Sequence, residues 1–594
     1  MVLDPKRWRV APPAPPDHFA RFPHLHPTIV QLLHNRGIKD PNEVATFLTG
    51  DEGEANPFSL DDIGAAVTRL RRALRAGEPI AVYGDFDADG VTATVLLVQT
   101  LRALGGDVRP YIPRRLEEGY GLHEHALTSL AHDGVRVVIT VDCGVRSLNE
   151  TDFANELGLD MIITDHHSAG DRLPEAVAVI DPKHKVNRYS SNSLAGVGVA
   201  YKLAQALLRT QRKVPVTPKS VRLEEEDLLD LVALGTVADL APLLGENRTL
   251  VRKGLARINR MERPGIEALC RRARLKAGQV DAQAIGYVLG PRLNAAGRLA
   301  DAKLAYGLLE TPYRAEAEHL AEKLDQLNRE RQLRTAEALA QAREMVQAEL
   351  DEGKTQDLLF VAGPDFSPGV VGLVANRLVD EFYRPAIVVK VDEEKSRGSA
   401  RSIREFNITH ALDTCADLLV RYGGHTLAAG FTVHTHKLPQ LKERLQVLAE
   451  ETLAGQELVP AIETDAEIPL QEMDRHLWQE LQQLRPFGQG NPYPLFISRH
   501  VRVQHQRPVG ADGQHLKLAL SDGHTTWDAI AFRQGEWAGK LGDRIDIVYH
   551  IEMNEWNGHR RLQLNVQDIQ RTGLDDNVAR LWPKQAEPGS GEVD

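Results

Sequence analysis

"YGDFDADGVTATVLL", Tyr83 to Leu97, sets three aspartates at alternate positions, places a glycine directly after them and opens into an apolar run. Like charges at this spacing repel and are costly to desolvate, so the stretch expects something positive. Three meanings compete: a calcium loop, a catalytic metal site or a solvated acidic turn. An EF-hand loop would take ligands from Asp85, Asp87 and Asp89, put Gly90 at its sixth position and need a bidentate glutamate at its twelfth. That twelfth residue is Leu96, and the stretch lies between a β-run and a helix rather than between two helices. The calcium loop fails.

What remains is an acidic cluster at the carboxyl end of a strand, where open α/β sheets carry their sites. The neighbouring runs end in the same way. "VVITVDCG" delivers Asp142, "MIITDHHS" delivers Asp165, His166 and His167, and the apolar stretch "DLLDLVALGTVADLAPL" delivers Asp239. A lone acidic turn is most often a solvated surface and a lone histidine most often structural; the repetition argues against both. Carboxylates with imidazole suit Mn²⁺ well and Mg²⁺ somewhat less, and the lack of thiolates argues against structural zinc. Such a pocket can hold two ions about 3.5–4 Å apart, which activate water and neutralise phosphate oxygens under attack. Adjacent His166 and His167 cannot readily both serve one ion. One is expected on metal, the other facing substrate or a carboxylate.

The chain has 594 residues, enough for about three to five domains. Its 42% hydrophobic and 26% charged residues are those of a globular protein with sizeable cores. Three scattered cysteines (Cys143, Cys270, Cys415) make neither a disulfide framework nor a cysteine zinc site, and fit a reducing compartment. Neither a signal-peptide core nor a run of about 18 apolar residues is present, so a cytoplasmic location and no membrane association are expected. A net charge of −12 excludes a wholly basic nucleic-acid binder. A polyanion must be held by local patches or by bound ions.

Working outward, residues 1–50 are proline-rich and then helical. Residues 51–312 alternate helices with β-runs at 80–84, 108–112, 137–141, 161–164 and 177–180, which predicts a parallel sheet covered on both faces. A helix over 313–351, with Leu320, Leu324, Leu327, Leu339, Met345 and Val346 near one face, reads as a solvated connector. A second α/β unit spans 352–456. Residues 457–572 hold recurrent short strands, "HLKLALSD", "TTWDAIAF", "RIDIVYHIEM" and "RRLQLNVQDI", the pattern of a small antiparallel barrel. A tail, 573–594, is expected to be disordered.

"DFDADG", "VDCG", "TDHH" and "GTVADLAPL", in this order, resemble the four motifs of the DHH phosphoesterase superfamily. "YIPRRLEEGYGL", "LGPRLNAAGRLADA", "SPGVVGLVANRL", "GSARSI", "GGHTLAAGF" and "LRPFGQGNPYPLF" narrow the resemblance to the RecJ family of bacterial single-strand-specific 5′→3′ DNA exonucleases, over about residues 25 to 570. The resemblance implies an α/β multidomain fold: a DHH domain, a connecting helix, a DHHA1-type domain and an oligonucleotide-binding (OB-fold) barrel. It implies release of mononucleotides by two-metal hydrolysis, in DNA repair and recombination. Two Mn²⁺ or Mg²⁺ ions would lie among Asp87, Asp89, Asp142, His166 and Asp239, with Asp142 bridging and with Asp85 and His167 in the same cluster. Arg115, Arg298, Ser399 and Arg401 are the candidates for a 5′-phosphate pocket, followed by Arg292 and His425, with Tyr120 stacking on a base.

On the barrel, Arg502, Lys517, Arg533, Trp527 and Trp556 are the candidates for contacting a single strand, although tryptophans in a small barrel are as often core. Implied partners are single-stranded DNA with a 5′ end, single-strand-binding protein and a RecQ-type helicase, with the chain acting as a monomer. Two departures from the family stand out. Phe366 and Ser367 occupy a stretch where relatives often carry tryptophan, and the chain ends soon after the barrel, so an extra C-terminal domain of some relatives is expected to be absent. Two alternatives stay open: a DHH nano-RNase or nucleotide phosphatase, against which the barrel argues, and a non-catalytic DHH scaffold of a replication complex, against which the intact ligand set argues.

Overall fold

A computed structural model describes residues 6–50, 53–184, 189, 192–216, 222–352, 357–556 and 559–572. The chain divides into two compact units, the first chiefly Asp51–Leu458 together with Pro486–Asn491, the second Asp4–Gly50, Val459–Arg485 and the residues from Pro492 onward. The proposed tail, 573–594, lies outside the described residues.

The first unit begins with five parallel strands: Ile80–Tyr83, Val108–Tyr111, Val137–Val141, Asp160–Thr164 and Ala178–Ile180. The first of them lies between the second and the third, and the others follow in sequence order. Ile80–Tyr83 and Val137–Val141 are buried along their whole length, because helices cover both faces of the sheet; this is why they read as unbroken apolar runs. The order reverses at the first strand, and the crevice at such a reversal, beyond the carboxyl ends, is where open sheets hold ligands. Asp85 and Asp142 follow the two strands that flank it.

The stretch before Asp239 is a helix, Leu229–Ala238, apolar all round and buried. Such a helix needs neighbours on every side, and here they include the helices Ala88–Ala103 and Gly196–Lys213. The long helix Arg314–Asp351 is packed at both ends. Ala317, Ala321 and Leu324 join the core around the parallel sheet; Ala338, Ala342 and Val346 join a second core with Leu359, Val361 and Phe366. Its middle turns, between Asn328 and Ala338, carry no buried residue, so the reading as a solvated connector holds for the centre alone. The second sheet of this unit has Leu359–Gly363 and Ala386–Lys390 parallel, then Lys395–Arg401, Ala428–His434 and Leu419–His425 antiparallel.

In the second unit, Phe496–Val509, His515–Ser521, Thr526–Ala531, His559–Arg571 and Arg544–Trp556 close into a five-stranded barrel, the last strand pairing back with the first. One pairing, Thr526–Ala531 with His559–Arg571, is parallel. Alternation along "HLKLALS" turns Leu516, Leu518 and Leu520 inward. The N-terminal segment folds with the barrel region: Arg7–Val10 runs parallel to Ala461–Thr464, and the Asn35 side chain donates to the Asp465 carbonyl.

Candidate metal centre and phosphate pocket

Asp87 caps the helix Ala88–Ala103, its Oδ1 accepting from the Asp89 and Gly90 N–H groups at 3.0 and 3.1 Å. Asp89 lies in the first turn and accepts from the N–H groups of Gly196 and Val197 (2.7 and 2.8 Å), which open the helix Gly196–Lys213. Both carboxylates therefore sit at positive helix ends. Asp239 has the opposite placement, at the C-cap of Leu229–Ala238, where the helix adds negative potential and a cation is favoured. Asp142 adopts a left-handed backbone (φ +61°), which aspartate tolerates better than most residues. Two glycines let the groups close in. A Cβ on Gly90 would lie 2.6 Å from the Asp85 Cβ, and one on Gly196 would lie 2.6 Å from the Asp142 Cβ.

His166 is central. Its Nε2 stands 3.0 Å from Asp142 Oδ1 and 3.9 Å from Asp89 Oδ2, and its Nδ1 stands 3.9 Å from Asp239 Oδ2. Yet His166 Nε2, Asp142 Oδ1 and Asp85 Oδ1 are buried with no hydrogen-bond partner. Buried polar atoms are almost always paired, so three such atoms converging from different elements fit a cation held among them. Ligand atoms of Asp85, Asp87 and Asp142 come together, as do those of Asp89, His166 and Asp239, and those of Asp142, His166 and His167. Asp142 belongs to two of these groups.

The electrostatics agree. Burial, then the neighbouring carboxylates, pushes Asp85, Asp89 and Asp142 well above the usual carboxylate range, and Asp239 up to about 7. Burial and then the His167 charge depress His166 to about 3, leaving it neutral and ready to ligate. Five crowded carboxylates and a neutral imidazole fit divalent cations of the Mn²⁺ or Mg²⁺ kind.

His167 is held differently. Its Nδ1 lies 2.8 Å from Asp165 Oδ1, and burial, which would lower its pKa, is outweighed by that hydrogen bond and charge, so the net shift is upward. Asp165 also accepts from the N–H groups of Val145, His166 and His167. Tyr120 donates its hydroxyl to the Asp142 carbonyl (3.1 Å) and stands 3.2 Å from His167 Nδ1, which ties its polar end into the cluster.

A second cluster, of opposite sign, lies in the same unit. The Arg298 guanidinium donates to the Gly369 carbonyl (3.2 Å), and Arg401 donates to Ser399 Oγ (3.1 Å). A Cβ on Gly372, in the first turn of Val371–Phe382, would lie 2.9 Å from Ser399 Oγ and 3.1 Å from Arg401 Nη2. Arg115 lies over the Phe86 ring at 4.9 Å. Burial, then Arg115 and Arg331, lowers Arg298 to about 10; burial and then Arg115 lower Arg401. Among the described residues no carboxylate forms an ion pair with Arg115, Arg298, Arg331 or Arg401. Close contacts run from one cluster to the other: a Cβ on Gly297 would meet the Phe86 carbonyl at 2.5 Å, and one on Gly369 the Arg298 carbonyl at 2.3 Å.

The remaining candidates are dispersed. Arg292 is engaged with Asp325 (3.0 Å) and the Val288 carbonyl, so its charge is already matched. His425 is exposed at the end of its strand and shares a cross-strand row with Ala428 and Arg401. On the barrel, Arg502 and Arg533 are exposed and Lys517 half-buried, with Arg507 directly opposite Lys517. Trp527 is turned into the barrel, 8% exposed, because it alternates with the outward Thr526 and Asp528; its ring is not offered for stacking. The Trp556 side chain lies outside what the structure describes. Sequence reasoning gave no role to Asp165, although "TDHH" displays it at a strand end, nor to Asn294, whose Oδ1 accepts from the Ala88 N–H and steadies the aspartate loop. Arg331 carried no signal beyond being one cation on a long helix.

Models of the DHH family N-terminal domain, the DHHA1 domain and the RecJ OB domain match residues 79–236, 355–451 and 464–568. Ligands for divalent ions at the switch point of a DHH sheet, with a DHHA1 domain and an OB barrel on one chain, define a metal-dependent DHH phosphoesterase. The single-stranded-DNA-specific exonuclease RecJ of Bacillus subtilis is 40% identical over 550 residues, covering 92% of this chain and 68% of the relative. RecJ of Salmonella typhimurium is 37% identical, covering 93% and 97%. The crystal structure of Thermus thermophilus RecJ in complex with Mn²⁺ superposes with a TM-score of 0.80 at 30% identity, over 95% of this chain and 79% of that one. The Mg²⁺ complex of the same protein gives 0.74 at 29% identity, over 95% and 78%. The chain belongs to the RecJ family.

Proposed function

We propose that the protein is a single-stranded-DNA-specific exonuclease that starts at a 5′ end, proceeds 5′→3′ and releases mononucleotides. The observation that carries this reading is the link between orphaned metal-ligand atoms and an arginine cluster without carboxylate partners, through the contacts at Gly297 and Gly369. An anion on the arginines and a phosphodiester at the acidic rim would then be neighbours.

Arg298, Ser399, Arg401 and Arg115 hold the terminal 5′-phosphate; guanidinium forks and a hydroxyl donor suit its oxygens. The bond broken is in the next phosphodiester. A water oxygen bonds to that phosphorus, the bond to the 3′-oxygen of the terminal nucleotide breaks, and that oxygen gains a proton. The shortened strand carries a new 5′-phosphate for the same pocket. Two divalent ions, Mn²⁺ or Mg²⁺, supply Lewis-acid charge stabilisation and a lowered pKa for water when bound among Asp85, Asp87, Asp89, Asp142, His166 and Asp239. His167, fixed by Asp165 and Tyr120, holds a proton beside the phosphate.

Arg507 and Lys517, directly opposite on adjacent strands, form a cationic pair that a phosphate would bridge, which supports that face as the track for the strand. Among the described residues no helix is long and apolar enough to cross a membrane. A monomer in the cytoplasm, working in repair and recombination with a single-strand-binding protein and a RecQ-type helicase, completes the proposal. The test is a time course on 3′-labelled, 5′-phosphorylated single strands with Mn²⁺, beside the blunt duplex. Stepwise shortening of the labelled strand with the duplex spared is expected; internal cuts or equal loss of the duplex would contradict it.

A further inference from the structure

Leu240 is 69% exposed and Tyr287 82% exposed, among the most solvent-facing large apolar side chains of the first unit. Leu240 directly follows Asp239. The helix Leu229–Ala238 ends with the Leu240 N–H donating to the Val237 carbonyl (3.2 Å) and the Ala241 N–H donating to the Thr236 carbonyl (3.1 Å). That pair of bonds closes a helix with a left-handed residue, and Leu240 stands at φ +60°. Glycine is the usual occupant of this place, because a Cβ is strained there. A leucine that is both strained and in water works twice against stability. Strain of this kind collects at functional sites.

Tyr287 belongs to a five-residue π-helical turn, Ile285–Leu289, and such turns inside helices likewise collect at functional sites. The turn packs on the same helix end. A Cβ on Gly286 would lie 4.0 Å from Val237 Cγ1, and one on Gly290 3.4 Å from the Ala238 Cβ. The helix that continues from it, Gly290–Leu299, supplies Asn294 and Arg298. No side-chain hydrogen bond or ring contact engages Tyr287 among the described residues. Leu240 thus adjoins the candidate ligand Asp239, and Tyr287 stands on the turn packed against the same helix end, both uncovered.

We infer that Leu240 and Tyr287 form a platform for the face of an unpaired nucleobase beside the scissile phosphate. This rests on the exonuclease reading and names the part of the substrate that the rim of that site grips. Of the surfaces a strand presents, phosphate, sugar and base face, only the base face is apolar. In a duplex it is already covered by stacking; in a single strand it is free to lie on a phenol ring or against a leucine. The platform therefore adds selection for unpaired DNA at the point of cleavage itself.

The test compares wild type with Leu240→Gly, Tyr287→Ala and Tyr287→Phe, by thermal melting and by kcat/KM on two 5′-phosphorylated single strands, one normal and one abasic at its terminal nucleotides. Leu240→Gly, relieved of strain, is expected to melt above wild type and yet lose roughly 10-fold in kcat/KM on the normal strand, as is Tyr287→Ala. Tyr287→Phe keeps the ring and should keep the rate. Both losses should largely disappear on the abasic strand. Variants that match wild type on the normal strand, or lose equally on both strands, would overturn the platform while leaving the exonuclease intact. A wild type that leaves both strands untouched would overturn the exonuclease reading, and this inference with it.

Discussion

The aspartate rim and the arginine pocket are mirror images in charge. Each gathers like-charged side chains in a largely buried place, and each is held by backbone N–H groups, carbonyls or hydroxyls rather than by opposite charges. In the rim, burial and mutual repulsion push carboxylates up, Asp239 to about 7; in the pocket the same two causes bring Arg298 down to about 10. Neither cluster is relaxed alone. In the proposed reading, divalent ions on the rim and a 5′-phosphate on the arginines would supply the opposite charge that the fold does not. The difference lies in construction: the rim comes from one sheet and its covering helices, whereas the pocket gathers residues from both halves of the unit.

The largest effect should come from the rim. Asp142→Ala removes the carboxylate shared by two ligand groups, and single-turnover kcat should fall by on the order of 10⁴-fold. Single-strand affinity, measured by anisotropy, should stay close to wild type. Comparable turnover by the mutant would break the contrast between rim and pocket. Next in size, Arg401→Ala should weaken cleavage of 5′-phosphorylated strands roughly 10- to 100-fold, the worth of a charge-assisted hydrogen bond, while 5′-hydroxyl strands lose little. Equal losses on both ends would place Arg401 outside the phosphate pocket.

Acid should act on the rim in a direction that depends on metal. A carboxylate raised to about 7 in the metal-free fold binds its proton more tightly than in the unfolded chain. Metal-free wild type should therefore lose stability relative to Asp239→Asn as pH rises from the ordinary carboxylate range through about 7, while His166, held neutral, contributes the opposite slope in both proteins. Ions must displace that proton, so their affinity should rise over the same interval. Melting of wild type and Asp239→Asn at pH 5.5 and 7.5, with EDTA and with Mn²⁺, checks both signs; a metal-free wild type that gains stability relative to the variant over this interval would contradict the first. The smallest effect belongs to the barrel. Lys517→Ala should lower single-strand affinity a few-fold and reduce the salt slope by about one contact, without changing the 5′-phosphate preference.

What could be read in the sequence follows the same divide. Strands buried on both faces appear as unbroken apolar runs, and each acid at their ends is visible in one dimension, so the parallel sheet and Asp85, Asp142 and His166 were legible. Asp239 looked similar but ends a helix, since an apolar run of that length has no period to tell the two apart. The fold class was legible down to the barrel, though not the strand Arg7–Val10, whose partner begins at Ala461, far along the chain. The environment of each arginine was not legible. Arg292 and Arg298 lie on one helix, yet the first is matched by Asp325 and the second faces other cations, which only tertiary packing decides. Trp527 could have been placed inward from its alternation with Thr526 and Asp528.

If the aspartate rim is one shared site for two divalent ions, the two bind together and depend on the same carboxylate. Calorimetric titration of the metal-free protein with Mn²⁺, beside Asp142→Ala, tests it most directly. The account predicts two ions per wild-type chain and loss of tight binding of both in the mutant; a mutant that still takes up two with unchanged affinity would contradict it.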